Sequence, residues 1–431
     1  MIRLISNSDG VARTDFLSRL AGRSVGFDAK VLGVVSEIVE QIRTRGDEAL
    51  LEYTARFDNV HLDLSELRVS ADALRQAAEG VGEDFLKALR DAIHNVTSFH
   101  ERQKELSWEF ETVDGMRLGQ RILPIETVGL YVPGGTAAYP SSVVMNVVPA
   151  KVAGVPRIVV VTPPTTLRQN PAVAAALLEL GIKEVYAIGG AQAIAALAFG
   201  TKSIPRVDKI TGPGNKYVAA AKKVVFGVVG IDAIAGPSEV LILADDSARA
   251  DFVAADLLAQ AEHDEEASAV LITSSQKLAA AVVAEVIQQV SRLPRRAVIK
   301  KSLANYGAVI LVKDIMDACV IVNELAPEHL ELLTADNKTL AKNITNVGAI
   351  FFGDYSPEAL GDYFAGPNHV LPTGGTARFS SALGVYDFVK RTSLIRYSQK
   401  AFEDVARQIS VLADAEGLRG HALSALLRRQ E

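Results

Sequence analysis

Four of the chain's seven histidines lie in polar segments that also carry carboxylates or amides. Asp256, Gln260 and His263 occupy the run ADFVAADLLAQAEHDEE, which reads as a helix, and their spacing puts all three on one face. A neutral imidazole and an amide oxygen three residues apart can both reach one divalent cation. Polar helix faces are also commonplace, so this run leaves both readings open. Pro327-Glu328-His329 follows a helical run at 317–325. Both side chains can be tuned toward neutral pH, which makes the pair a candidate general base and proton shuttle. The plainer reading is a helix N-cap region with an acidic first turn. Further on, Asp362 and His369 sit in a predicted Gly/Pro-rich loop, and Glu416 and His421 lie in EGLRGHALSALL, where a helix places them on adjacent turns. The combined donor set is mixed nitrogen and oxygen without thiolate. It suits zinc or another borderline divalent metal and not an iron–sulfur cluster.

Three Gly-rich turns fall at the ends of predicted strands: Pro133-Gly134-Gly135, Gly189-Gly190-Ala191-Gln192 and Gly212-Pro213-Gly214-Asn215. Ligands of open α/β sheets bind at the carboxyl ends of strands, where glycine lets backbone N–H groups approach a phosphate. None of the three has the G-x-G-x-x-G spacing, and any one alone is equally a tight connection. Two of them are followed by a polar amide, Gln192 or Asn215, which favours a nucleotide site.

The elements that must position these residues are α/β. Apolar residues at 31, 35, 38 and 42 predict an amphipathic helix, interrupted by Gly46–Asp47 before a second helical stretch through Phe57. Residues 85–106 read as a helix bearing His94 and His100, which fit surface or packing roles. From Thr127 onward, β-branched runs at 128–132, 158–162, 184–188, 209–211, 240–244 and 269–273 alternate with Ala-rich helices, the pattern of buried parallel sheets. The expected architecture is two Rossmann-like parallel-sheet lobes, the second inserted in the first. It divides into an N-terminal helical segment at 1–25, a first lobe at 26–130 and 239–380, a second lobe at 131–238 carrying the glycine turns, and a C-terminal arm at 381–431.

Bulk properties narrow the function. With 431 residues and a net charge of −6, the chain gives no electrostatic reason to expect nucleic-acid binding. The single cysteine, Cys319, excludes an intrachain disulfide and any zinc site built on paired cysteines. Apolar stretches such as 224–231 are too short to span a bilayer, and no signal-peptide pattern opens the sequence, so a soluble cytoplasmic protein is expected.

Longer blocks carry a resemblance. VGLYVPGGTAAYPSSVVMNVVPAKVAGV, ITGPGNKYVAAAKK, IAGPSEVLILAD, DLLAQAEHD, NELAPEHLEL, GDYFAGPNHVLPTGG and ARFSSALGVYDFVKR, in this order, resemble the recurring blocks of the histidinol dehydrogenase family. The resemblance implies oxidation of L-histidinol to L-histidine through histidinal, the last step of histidine biosynthesis, with two NAD and one zinc per subunit. It implies Gln260, His263, Asp362 and His421 as zinc ligands and Glu328 and His329 as the acid–base pair. Ser238, His329 and Glu416 would contact substrate with the metal ligands, His369 would lie nearby, and Tyr131, Gln192 and Asn215 would contact NAD. It further implies a homodimer whose C-terminal arm reaches the partner's site. Some family members carry cysteines near the segment AGVPRIVVV; here Cys319 lies in the apolar run DACVIV and reads as a buried, inert thiol. Three rivals predict different behaviour: a related zinc/NAD dehydrogenase of another amino or sulfonated alcohol, a zinc hydrolase without nucleotide, and a non-catalytic binding module.

Overall fold

A computed structural model describes residues 2–6, 8–23, 27–134 and 139–429. The chain opens with a short strand, β1 (Arg3–Ile5), and the helix Gly10–Gly22, followed by helices Ala29–Arg45, Asp47–Asp58 and Glu83–Glu101. An antiparallel pair, β2 (Trp108–Glu111) and β3 (Arg117–Pro124), comes next. β4 (Thr127–Tyr131), β5 (Arg157–Thr162), β6 (Glu184–Ala187), β7 (Lys209–Thr211) and β8 (Gly230–Ile231) then form a parallel sheet in the order β6-β5-β4-β7-β8. β9 (Glu239–Ala244), β10 (Ser268–Thr273), β11 (Gly307–Leu311), β12 (His329–Leu333) and β13 (Ala349–Phe352) form a second parallel sheet, ordered β1-β11-β10-β9-β12-β13. Finally, β14 (Val389–Arg396) pairs antiparallel with β3, ahead of helices Gln399–Ala415 and Arg419–Leu426.

Both parallel sheets share one winding. β4 and β9 are central, the next two strands step outward on one side and the following two lie on the other, with β1 added at the far edge of the larger sheet beyond β11, so the strand order reverses beside β4 and beside β9. The five-stranded sheet is inserted between β1 and β9 of the six-stranded one, as the sequence pattern predicts. Each expected strand falls within one residue of the observed one. The agreement has a simple cause: β5 and β10 are buried along nearly their whole length, so their sequences are continuous apolar runs.

The expected division of the chain needs correction at its front end. Helix Ala29–Arg45 packs Val35, Ile38 and Ile42 against Ile194, Leu197 and Val218 of the five-stranded unit, joined by Leu50 and Tyr53. Leu89 and Val96 of helix Glu83–Glu101 meet Val143 and Val147 of the same unit. Residues 29–101 therefore complete the inserted unit and not the first lobe. Nor is the N-terminal segment separate, because β1 pairs with β11 and Phe16 and Leu20 enter the six-stranded core. Amphipathic spacing says that a helix buries a face; it does not say which sheet receives it.

Candidate active site

The glycine turns line the carboxyl edge of the five-stranded sheet. Pro133–Gly134 follows β4, Gly189–Gly190 leads into helix Gly190–Phe199, and Gly212-Pro213-Gly214 follows β7 ahead of helix Lys216–Val225. Gly135 lies outside the described residues. A methyl group on Gly189 would come within 2.6 Å of Pro163, and one on Gly212 (φ 115°) would overlap the Tyr131 carbonyl oxygen. The Gly212 turn is braced from behind: its N–H donates to Asp232 Oδ2 at 2.8 Å, its carbonyl accepts from Lys222 Nζ at 3.1 Å, and Lys222 and Asp232 form a buried ion pair. Sequence reading missed this pair. Its only signal is a lysine on the apolar face of an Ala-rich helix.

Tyr131, Gln192 and Asn215 all stand on this edge. Tyr131 ends β4; its hydroxyl accepts from Gly190 N–H at 3.1 Å, and burial pushes the phenol up to about 12, so it stays neutral. Gln192 is 1% exposed, with Nε2 at 3.5 Å from Asp58 Oδ2 and a buried Oε1 without a hydrogen-bond partner. Asn215 caps its helix, accepting from the N–H groups of Tyr217 and Val218 at 3.0 and 3.2 Å. Its oxygen is thus occupied locally, which leaves the amide nitrogen for a ligand.

The candidate acid–base pair, Glu328 and His329, lies elsewhere, at the amino edge of the six-stranded sheet, where β9 and β12 begin side by side. This departs from the expectation of a helix N-cap at Glu328. Helix Ile315–Leu325 instead ends on Ala326 in the left-handed region (φ 49°), and His329 is the first residue of β12. Ahead of the strand ladder, the Glu239 backbone is used by these two side chains. Glu328 Oε2 accepts from Glu239 N–H at 2.9 Å, and His329 Nδ1 donates to Glu239 O at 3.0 Å. A carbonyl can only accept, so the proton sits on Nδ1 and the buried Nε2, which has no partner, carries the lone pair. Burial holds His329 neutral, pushing it down to about 4, and drives Glu328 well above the usual carboxylate range.

Around this pair lies a cleft of about 240 Å³ lined by His329, Phe351, Asp362 and His369. Asp362 lies in a short helix, Glu358–Tyr363, and not in the expected loop. Its Oδ1 is 3.9 Å from His329 Nε2 and 3.8 Å from His369 Nδ1, and its carbonyl also receives His369 Nδ1 at 3.1 Å. Helix Ala250–Ala261 delivers Gln260, but it ends before His263, which stands in the following turn with Nδ1 buried and unpartnered. Gln260 is fully buried, and with its amide nitrogen turned to Glu358 it donates at 2.8 and 2.5 Å. Asp256, expected to share a cation-facing surface, hydrogen-bonds instead to the buried Glu331. Ser238 precedes β9, its carbonyl accepting from Ser268 N–H at 3.0 Å. The two edges approach each other: Tyr139, just beyond β4, feels the charges of Arg295 and Asp264, and Gly236 N–H donates to Thr373 Oγ1 at 2.6 Å.

A family model described as histidinol dehydrogenase matches residues 22–429. The chain belongs to the histidinol dehydrogenase family. Histidinol dehydrogenase of Geobacillus kaustophilus is 53% identical over 398 residues, covering 92% of this chain and 93% of that protein. That of Nitrosomonas europaea is 48% identical over 430 residues, covering 100% and 99%. The crystal structure of histidinol dehydrogenase from Elizabethkingia anophelis superposes with a TM-score of 0.91 at 35% identity, covering 99% of this chain and 98% of that one.

Within this family member, a single chain assembles only part of the ligand set that the resemblance implies. Asp362 lines the cleft, Gln260 reaches Glu358 on the same short helix, and His263 acts electrostatically on His329 and His369, whereas His421 is exposed in helix Arg419–Leu426 and Glu416 is exposed at the end of the preceding helix. The carboxylate and imidazole atoms that crowd within 4.8 Å of one another belong to His329, Glu358 and Asp362. Glu358 and Glu331, both buried and both held well above the usual carboxylate range by burial, were not among the sequence candidates. Glu331 had a legible signal, a carboxylate in the middle of the apolar strand HLELL. Glu358 had none, since SPEALGDY reads as a solvated turn. Among the described residues, no helix is long and apolar enough to cross a membrane.

Proposed function

We propose that the chain oxidises L-histidinol to L-histidine through histidinal, in the cytoplasm, as the last step of histidine biosynthesis, using two NAD and one zinc per subunit. The observation that carries this reading is His329: a neutral imidazole of fixed tautomer, its Nε2 lone pair facing a cleft beside Asp362 and His369. That nitrogen takes the proton of the substrate hydroxyl, and again that of the hydrated aldehyde. Glu328, locked by Glu239 N–H, activates the water that hydrates the aldehyde once it is ionised.

The residues present fit the implied groups. Gln260, its nitrogen committed to Glu358, has its oxygen left for a cation, and His263 Nδ1 and the Asp362 carboxylate complete a thiolate-free set. Bound there, zinc would orient the substrate through its imidazole and amino nitrogens. The close-packed glycine turns, the partnerless Gln192 Oε1 and two helix N-termini fit a dinucleotide at the other edge, with Tyr131, Gln192 and Asn215 in contact. NAD would there accept hydride at its nicotinamide. Ser238 and Glu416 would bind substrate, with His369 beside it.

The exposed Glu416 and His421 are read as acting in a partner's site, in a homodimer with exchanged C-terminal arms. The exposed Val411, Leu412, Leu423 and Leu427 supply an apolar surface for such an exchange. NADH formation, followed by its ultraviolet absorbance with histidinol and with other amino and sulfonated alcohols, before and after chelation, tests the whole reading. Histidinol should be the preferred substrate, and zinc should restore turnover lost to the chelator. Equal turnover of metal-free protein would refute the metal assignment, and preference for another alcohol would refute the substrate.

A further inference from the structure

One carboxylate at the glycine edge has no role so far. Asp58 is the last residue of helix Asp47–Asp58, where the negative end of the helix dipole disfavours an acid. No ion pair relieves it among the described residues, and half-burial pushes it up to about 6. Its Oδ2 lies 3.5 Å from Gln192 Nε2, and its charge acts on Tyr131, whose hydroxyl receives Gly190 N–H. Asp232, the other acid on this edge considered above, is taken by Lys222 and Gly212. In dinucleotide-binding sheets of this winding, an acid near the end of the second strand accepts the ribose hydroxyls. Here β5 is followed by Pro163-Pro164-Thr165, so that position offers no carboxylate. Asp58 reaches the same side of the crevice, toward β6 and away from β7, from a helix packed on the sheet.

Resting on the dinucleotide reading above, we propose that Asp58 is a specificity-determining residue, its carboxylate accepting a hydroxyl of the adenosine ribose of NAD and repelling the extra phosphate of NADP. Gln192, anchored by the same carboxylate, is thereby held with its oxygen toward the ligand. Fluorescence titration with NADH and NADPH tests this without turnover. The native protein should favour NADH, and Asp58→Asn should erode that preference about tenfold or more, since a charge-assisted hydrogen bond is replaced by a neutral one. Asp58→Glu should keep the preference. An unchanged NADH:NADPH ratio in folded Asp58→Asn overturns the proposal while leaving the dinucleotide site in place. Native protein that binds neither nucleotide overturns both readings. Should Asp58→Asn fail to fold, competition on the native protein decides: AMP must bind about tenfold tighter than its 2′-phosphorylated form, and equal binding refutes the role.

Discussion

The two edges that meet in this molecule are built on opposite principles. At the carboxyl edge of the five-stranded sheet, shape comes from what is missing: glycines whose added methyl groups would strike Pro163 or the Tyr131 carbonyl bring bare backbone to the surface. At the amino edge of the six-stranded sheet, the working groups are side chains. Glu328, His329, Glu331 and Glu358 are all buried, and their protonation is set chiefly by burial, with neighbouring carboxylates and a few backbone contacts adding to it. A site that grips a large, invariant ligand can be made of main chain. A site that moves protons needs titratable groups held in one tautomer and kept from water. The rule that ligands sit at carboxyl ends of strands fits the glycine edge and not the other, because Glu328 and His329 stand at the start of β12 and not at its end.

Three changes should break or sharpen this contrast. The largest effect is expected from His329→Asn, which removes the Nε2 lone pair of His329 that faces the cleft. Both oxidations should fall on the order of a thousandfold, with nucleotide binding intact. Loss of nucleotide affinity instead would mean that the edges are not separable. Gly212→Ala should do the reverse. Its methyl group meets the Tyr131 carbonyl at a left-handed φ, so stability should drop by about 3 kcal/mol and the KM for NAD should rise more than kcat falls. Thermal unfolding with steady-state kinetics would check it, and a neutral outcome would show the turn to be looser than described.

The smallest effect concerns Asp256, held at about 6 chiefly by burial, against an ordinary value of 3.8. Because the folded value is the higher one, this group's stabilising contribution is full below about pH 4 and is lost as the pH rises through about 6. Asp256→Asn cannot ionise. It should therefore gain about 1.4 kcal/mol over the native protein between about pH 5 and about pH 8, read as a difference in thermal midpoints. An equal shift at both pH values would show that the Asp256–Glu331 pair does not take up charge in this range.

Legibility in the sequence follows the same contrast. β4, β5, β6, β7, β9 and β10 are placed within a residue by their β-branched runs, whereas the equally buried β11 and β12 are not among the strands expected from sequence. Gln192, Tyr131, Glu328, His329 and Asp362 are singled out in the sequence because they stand beside glycine turns or in blocks resembling a known family. Contacts made across the fold are not. Nothing local tells that Gln260 turns to Glu358 or that Lys222 turns to Asp232. Nor is it local that Asp58 comes from a helix assigned by pattern to the other lobe. The antiparallel β2–β3–β14 sheet is short and largely exposed, so its alternation is weak, and it escapes pattern reading altogether.

Under the proposed function the two edges cooperate in two successive oxidations of one substrate, the second requiring water activated by Glu328. The direct measurement is the stoichiometry of NADH formed from limiting histidinol. The native protein should give two NADH for each histidinol consumed, with histidine as the product. Glu328→Gln should stall near one, with histidinal accumulating. A native yield of one NADH per histidinol, or a full yield of two at native rate from Glu328→Gln, would contradict the account.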